Sequence, residues 1–214
     1  EDGETRQEPV LGGIVQGPVT PEHWSGGGRP ADFFDVKGDV EALLELTGQA
    51  ERITFRKSAH AALHPGQGAD ILCDGEVIGQ IGALHPTIQS DLGIDAPLFV
   101  FQLAESALVT GSLPTFQPLP RYPAVRRDLA LIAPEDLSVG EIEEGIRANG
   151  PETLQDVVVF DIYRGKGVEE GHKSVALGLI LQDFSRTLSD DDVDRSIDRI
   201  LAALRESLGV TLRD

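Results

Sequence analysis

The sequence predicts an α+β chain built as two units, residues 1–118 and 119–214. Three observations carry that expectation. Pro114, Pro118, Pro120 and Pro123 interrupt regular structure across about 112–125, which reads as a linker. On both sides of it, short alternating apolar runs read as strands, and longer stretches with apolar residues three and four apart read as helices. Beyond the linker the order is strand, helix, strand, strand, helix, strand, a split βαββαβ arrangement.

In the first unit, residues 1–8 are polar and acidic and are expected to lack a fixed conformation. Leu11 to Val15 suits a short strand. Residues 16–31, around Trp24, are rich in Gly and Pro and read as a loop. Gly26-Gly27-Gly28 is not followed by Gly-Lys-Ser/Thr, so it is no phosphate cradle. Val36, Val40, Leu43, Leu44 and Thr47 give a helical stripe over Asp35 to Thr47, with Gly48 as the stop. Glu51 to Lys57 alternates as a strand with Ile53 and Phe55 inward. Ala69 to Cys73 and Val77 to Leu84 flank Asp74-Gly75, a hairpin turn signal. His85 to Leu92 reads as a short helix and Pro97 to Leu103 as a strand.

In the second unit the strands are Arg127 to Ala133, Leu154 to Arg164, Lys173 to Gln182 and Val210 to Arg213. The helices are Ser138 to Asn149 and Asp190 to Leu208. Val193, Ile197, Ile200, Leu201, Leu204 and Leu208 form the core stripe of the second helix. Both helices are expected on one sheet face, leaving the other free. Alternation assigns Val158, Phe160 and Ile162 to one face and Asp161 and Tyr163 to the other. In the next strand Val175, Leu177, Leu179 and Leu181 form the apolar face, and Ser174, Ala176, Gly178 and Ile180 the opposite one. That opposite face combines an aromatic, a carboxylate, a hydroxyl and very small neighbours. Such a face suits a flat ligand, for example an unstacked base.

Hydrophobic content of 40% and charged content of 25% are those of an ordinary globular protein. No apolar run approaches the ~18 residues of a membrane span, so no membrane role is expected. The chain opens on Glu1 and contains no methionine, which reads as a fragment or a processed product. The single cysteine, Cys73, leaves no internal disulfide, fits a reducing compartment and reads as a small buried residue.

The net charge of −18 speaks against nucleic acid. Its distribution weakens that objection. Twelve of the 18 Lys and Arg lie in residues 119–214, among them Arg126, Arg127, Arg164, Lys166, Lys173 and Arg186 near the sheet face or its loops. RNA binding needs a local basic patch, not a basic total. Ser189-Asp190-Asp191-Asp192 reads as a helix cap rather than a metal site. His60 and His64 have zinc-like spacing, but Pro65 disfavours a helix there and supporting ligands are lacking. No nucleophile with a partnered base is visible, so no catalytic residue is expected.

The stretch FDIYRGKGVEEGHKSVALGLILQDFSRTLSDDDV, starting at Phe160, resembles the anticodon-binding domain of phenylalanyl-tRNA synthetase beta subunits. Leu119 to Ala130 resembles the opening of that domain and Gly209 to Arg213 its end. Asp32 to Glu41 and Ile78 to Pro86 are similar to the last part of the preceding module, a catalytic-like relative of the class II synthetase core. The resemblance implies a class II synthetase-like antiparallel module over 1–118 and a ferredoxin-like domain over 119–214. It implies that Tyr163 stacks on the first anticodon base, a guanine, that Asp161 accepts from the Watson–Crick edge, and that Ser174 adds a hydrogen bond. Arg164, Lys166 and Lys173 become phosphate contacts. Arg126 and Arg127 would meet phosphate or the neighbouring domain, and Arg186 would add to the patch.

The implied partners are the anticodon of tRNA(Phe) and the alpha subunit, in an alpha2beta2 assembly of the cytoplasm, without DNA. ATP and magnesium would act in the alpha subunit, with no cofactor in this piece. Active class II cores carry an ATP-binding arginine near the stretch where this chain runs Leu84-His85-Pro86. That departure implies a module with the fold and without the chemistry. Taken without the resemblance, Tyr163, Asp161 and Ser174 read first as a strand-end tyrosine with a solvated carboxylate and only second as a site. A regulatory or small-molecule-binding βαββαβ module then remains the alternative. A closed pocket would mark that alternative, and an open platform with cations at its rim would mark an RNA reader.

Overall fold

Two antiparallel sheets, each with helices on one face, organise the chain. The computed structural model describes residues 7–109, 111, 116 and 119–213, in two units that divide between Phe116 and Gln117. Residues 1–6, and 112–115, 117 and 118 of the expected linker, lie outside the described residues.

The first unit has five strands: β1 (Val10–Gln16), β2 (Ile53–Lys57), β3 (Leu63–Cys73), β4 (Glu76–Leu84) and β5 (Leu98–Ala104), in the order β1-β5-β4-β3-β2. Its helices are α1 (Phe33–Glu45), α2 (Pro86–Asp91) and α3 (Glu105–Val109), the last not foreseen from sequence. Buried Val36, Val40 and Leu44 of α1 meet Ile71, Ile81, Phe99 and Leu103 of the sheet. Asp74 (φ 50°) and Gly75 (φ 85°) both take the left-handed conformation that a tight hairpin between β3 and β4 needs. Cys73 is half-buried, not fully buried as expected, with Sγ 3.8 Å from Gln49 Oε1.

Helix α1 begins two residues before the expected start because Asp32 caps it. The Asp32 carboxylate accepts from the N–H groups of Phe34 and Asp35, and the Asp35 carboxylate accepts from the Asp32 N–H at 2.8 Å. The Arg29 guanidinium donates to both Asp35 oxygens, at 2.6 and 2.7 Å. The 16–31 segment is therefore tied to the helix at its end.

The second unit has strands β6 (Val125–Pro134), β7 (Leu154–Tyr163), β8 (His172–Leu181) and β9 (Thr211–Leu212), in the order β7-β8-β6-β9. Helices α4 (Val139–Asn149) and α5 (Asp190–Leu208) complete the βαββαβ arrangement. Both begin with capping boxes, Ser138 with Glu141 and Ser189 with Asp192, and Gly209 (φ 67°) ends α5. Ile142, Ile146, Ile200 and Leu204 pack with Leu131, Val157, Val175, Leu177 and Leu179 on one side of the sheet. Strand β7 departs from regular pairing. Val159 faces Leu177 and Asp161 faces Ala176, so Phe160 is an extra, bulged residue. No described helix is long and apolar enough to cross a membrane.

The cap of α1 generates a pH prediction. The Arg29 guanidinium, with the Asp32 N–H, holds the Asp35 carboxyl at about 2, below its ordinary 3.8. A depressed carboxyl contributes stability above its unfolded value and loses it as pH falls through the folded one. Asp35→Asn should flatten the acid dependence of stability between about pH 4 and pH 2, read by thermal unfolding across that range. An acid limb identical to that of the parent chain would refute the assignment.

Candidate RNA-binding interface

Strand β8 lies between β7 and β6 and sets what the sheet offers on each side. Its Val175, Leu177, Leu179 and Leu181 are wholly buried on the helix side. Ser174, Ala176 and Gly178 alternate to the other side and leave the backbone nearly bare. Tyr163 pairs across from Ser174 and Asp161 across from Ala176, so the expected trio does share one face. Tyr163 is 39% exposed. Its hydroxyl donates to the Lys166 carbonyl at 3.3 Å. Gly165, at φ 150°, lies directly under the ring edge, where a Cβ would stand 2.9 Å from the Tyr163 oxygen. Asp161 is exposed, and no partner for its carboxylate is found among the described residues.

Sequence reasoning missed Arg213. Its Nη1 donates to Ser174 Oγ at 3.3 Å, and its Cζ lies 5.4 Å from the Tyr163 ring centroid. The backbone N–H of Arg213 donates to the Ala130 carbonyl, which carries the side chain to this spot from β9. Ser174, between Tyr163 and Ile132 in the central strand, is only 3% exposed. No local pattern signals this contact, because it joins residues 39 apart in sequence through the pairing of β9 with β6.

The bulge in β7 corrects the expected faces. Val157 and Val159, not Val158 and Phe160, join the helix-side core. Phe160 turns to the open side, 52% exposed, with the Arg126 Cζ 5.4 Å from its ring centroid. An extra residue in one strand shifts every later side chain by one step.

The six expected cations separate. Lys173 is 6% exposed and opposite Ala133 on the helix side. Its ammonium donates to the carbonyls of Glu135 at 3.0 Å and Leu137 at 2.5 Å. Lys173 therefore holds the turn before α4 and does not face solvent beside the open sheet, as expected from sequence. Arg127 pairs with Asp190 at 2.8 Å and Arg186 with Asp192 at 2.6 Å, both at the head of α5 rather than on the open face. Arg164 pairs with Glu135 at 2.8 Å, and Arg126 with Asp128 at 2.6 Å on the open face. Lys166 and Arg213 have no ion pair among the described residues.

Asp192 is held well below the usual carboxylate range by Arg186 and Ser189, so it serves the cap of α5. His60 and His64 each accept an N–H two residues on, from Ala62 and Gly66, in separate turns. His85 accepts from the Thr87 N–H and caps α2. An open cleft of about 360 Å³ in the first unit is lined by Asp32, Phe33, Phe34 and Gly66 to Gly68, and the Asp32 carboxylate is already engaged in the α1 cap.

Residues 120–213 match the family model of the ferredoxin-fold anticodon binding domain, and residues 1–104 match that of the phenylalanyl tRNA synthetase beta chain CLM domain. The phenylalanine–tRNA ligase beta subunit of Pseudomonas syringae pv. tomato is 49% identical over 208 residues, 97% of this chain and 26% of that protein. That of Methylococcus capsulatus is 47% identical over 213 residues, 100% of this chain and 27% of that protein. That of Shewanella oneidensis is 42% identical over 209 residues, 98% of this chain and 26% of that protein. The chain thus spans about a quarter of the length of the curated relatives it matches.

The placement of Lys173 is testable by stability alone. Lys173→Ala removes a charged donor from two carbonyls and should lower the unfolding free energy by about 1–3 kcal/mol. Lys166→Ala, at an exposed site, should change it by less than about 0.5 kcal/mol. Urea unfolding of both variants checks this, and equal small effects would refute the buried role.

Proposed function

This chain belongs to the family of phenylalanine–tRNA ligase beta subunits, and from that premise we propose that its second unit reads the anticodon of tRNA(Phe). The first unit packs on the alpha subunit of an alpha2beta2 ligase of the cytoplasm. The whole enzyme joins phenylalanine to its tRNA in an ATP- and magnesium-dependent reaction whose chemistry lies in the alpha subunit. At the position near His85 where an active module would bind ATP, this chain uses the histidine ring to cap α2. That use supports a structural role for the first unit.

The observation that carries the reading is the exposed Tyr163 beside an unpartnered Asp161 on a sheet face floored by Ser174, Ala176 and Gly178. A guanine lies flat on the Tyr163 ring. The Asp161 carboxylate accepts its two edge N–H groups and repels an edge that presents only acceptors. Arg213 holds the ring and the Ser174 hydroxyl together in the free chain. When Arg213 turns toward an RNA phosphate it frees the hydroxyl to bond the base. A regulatory metabolite would be enclosed, and the exposure of Tyr163 and Asp161 favours a base over such a ligand.

The anticodon stem-loop of tRNA(Phe), titrated against the 214-residue chain, tests this. Tyr163→Ala should weaken binding by about 1–3 kcal/mol, the scale of one base–aromatic stack. Asp161→Asn should narrow the preference for guanine over adenine at the first anticodon position. Two unpaired cations at the rim, Lys166 and Arg213, predict a shallow slope of about −1.4 in log affinity against log salt. Binding by Tyr163→Ala equal to that of the parent chain, with the fold intact, overturns the reading.

A further inference from the structure

The open face carries a second group built like the first, and nothing in the reading above uses it. Phe160 is 52% exposed, and the Arg126 guanidinium stands over its ring at 5.4 Å. Arg126 Nε donates to Asp128 Oδ1 at 2.6 Å. Both side chains lie over Gly178, where a Cβ would come within 2.8 Å of Arg126 Nε and 2.9 Å of Asp128 Oδ1. Only a missing side chain at this point of β8 lets the pair lie beside the ring. Tyr163, Arg213 and Asp161 supply an aromatic ring, a guanidinium and a carboxylate, and Phe160, Arg126 and Asp128 supply the same three groups again.

We propose that Phe160, with Arg126 and Asp128, forms a second base-stacking site, which takes the nucleotide next to the one held on Tyr163. The proposal rests on the reading that this face binds single-stranded RNA. Phenylalanine offers the base an apolar ring without a hydroxyl of its own. Arg126 provides a planar cation that stacks on a base or turns to the linking phosphate. Asp128 provides acceptors for a base amino group. Two residues of strand, Asp161 and Ile162, lie between the two rings, a span of three steps that is roughly 10 Å at the usual rise and shorter where the strand bulges. That exceeds the ~3.4 Å of stacked bases, so the two bases are splayed, each on its own ring, as single-stranded RNA readers hold them.

The test combines protein variants with altered RNA. The probes are the anticodon stem-loop of tRNA(Phe) and the same RNA lacking the base at the second anticodon position. Phe160→Ala should weaken binding of the intact RNA about five- to hundredfold. On the abasic RNA it should cost nothing further, because the stacking partner is already gone. Phe160→Leu, which keeps apolar bulk and so keeps the fold, should show most of the same loss, with thermal unfolding as the control. Tyr163→Ala should weaken binding to both RNAs equally. If Tyr163→Ala weakens binding while both Phe160 variants match the parent chain, the second site is refuted and the anticodon reading stands. If Phe160→Ala weakens binding of intact and abasic RNA equally, Phe160 does not hold that base and the proposal falls. If neither aromatic matters, the anticodon reading falls and this site falls with it.

Discussion

The demands placed on strand β8 organise the second unit. It pairs on both edges, with β7 and β6, so its backbone is fully committed to the ladder. Its helix-side residues Val175, Leu177, Leu179 and Leu181 are entirely buried, and the first three pack with α4 and α5. Its other side must then be nearly featureless for neighbouring strands to project across it. Ser174, Ala176 and Gly178 meet that demand. A larger residue at Gly178 would collide with the Arg126–Asp128 pair. Core packing and the open platform are thus two sides of one strand.

Charge is used locally in this acidic chain. Most arginines near the site are paired with carboxylates: Arg126 with Asp128, Arg127 with Asp190, Arg164 with Glu135, and Arg186 with Asp192. Exposed pairs of this kind contribute little to stability, because solvent screens them. Their larger effect is to fix where side chains sit. They also mask positive charge in a domain whose ligand is read as an anion. On the anticodon reading proposed above, affinity for RNA would then depend on stacking and edge contacts more than on phosphate neutralisation.

Legibility in the sequence followed the range of the interaction. Helix α5 has the expected bounds, Asp190–Leu208, because its cap, its stripe and its terminal glycine are all local signals. Helix α1 was placed two residues late, because its capping box starts at Asp32 while the stripe starts at Val36. The βαββαβ order was readable because each element announces itself by period. What was not readable lies in contacts across the fold. Lys173 looked like a surface cation until the turn of Glu135 to Leu137 supplied its carbonyls. Arg213 gained its position only through the pairing of β9 with β6. The bulge at Phe160 has no glycine and no proline to mark it, so alternation counted through it and misassigned Val158, Phe160 and the valines beside them.

That bulge makes the length of β7 part of its specificity. Removing one residue between Val159 and Asp161 would leave the composition of the strand almost unchanged and its pairing more regular. Without Phe160, Val159 and Asp161 would simply follow one another on consecutive partners, Leu177 and Ala176. Val157 and Val159 would stay on the core side and Asp161 and Tyr163 on the open side, so what the strand would lose is the ring beside Arg126. A homologous chain without the extra residue, aligned with its gap opposite Val159 instead of Phe160, would equate an inward valine with an outward ring. The extra residue thus adds an aromatic ring to the open face without disturbing the phase of the core on either side of it.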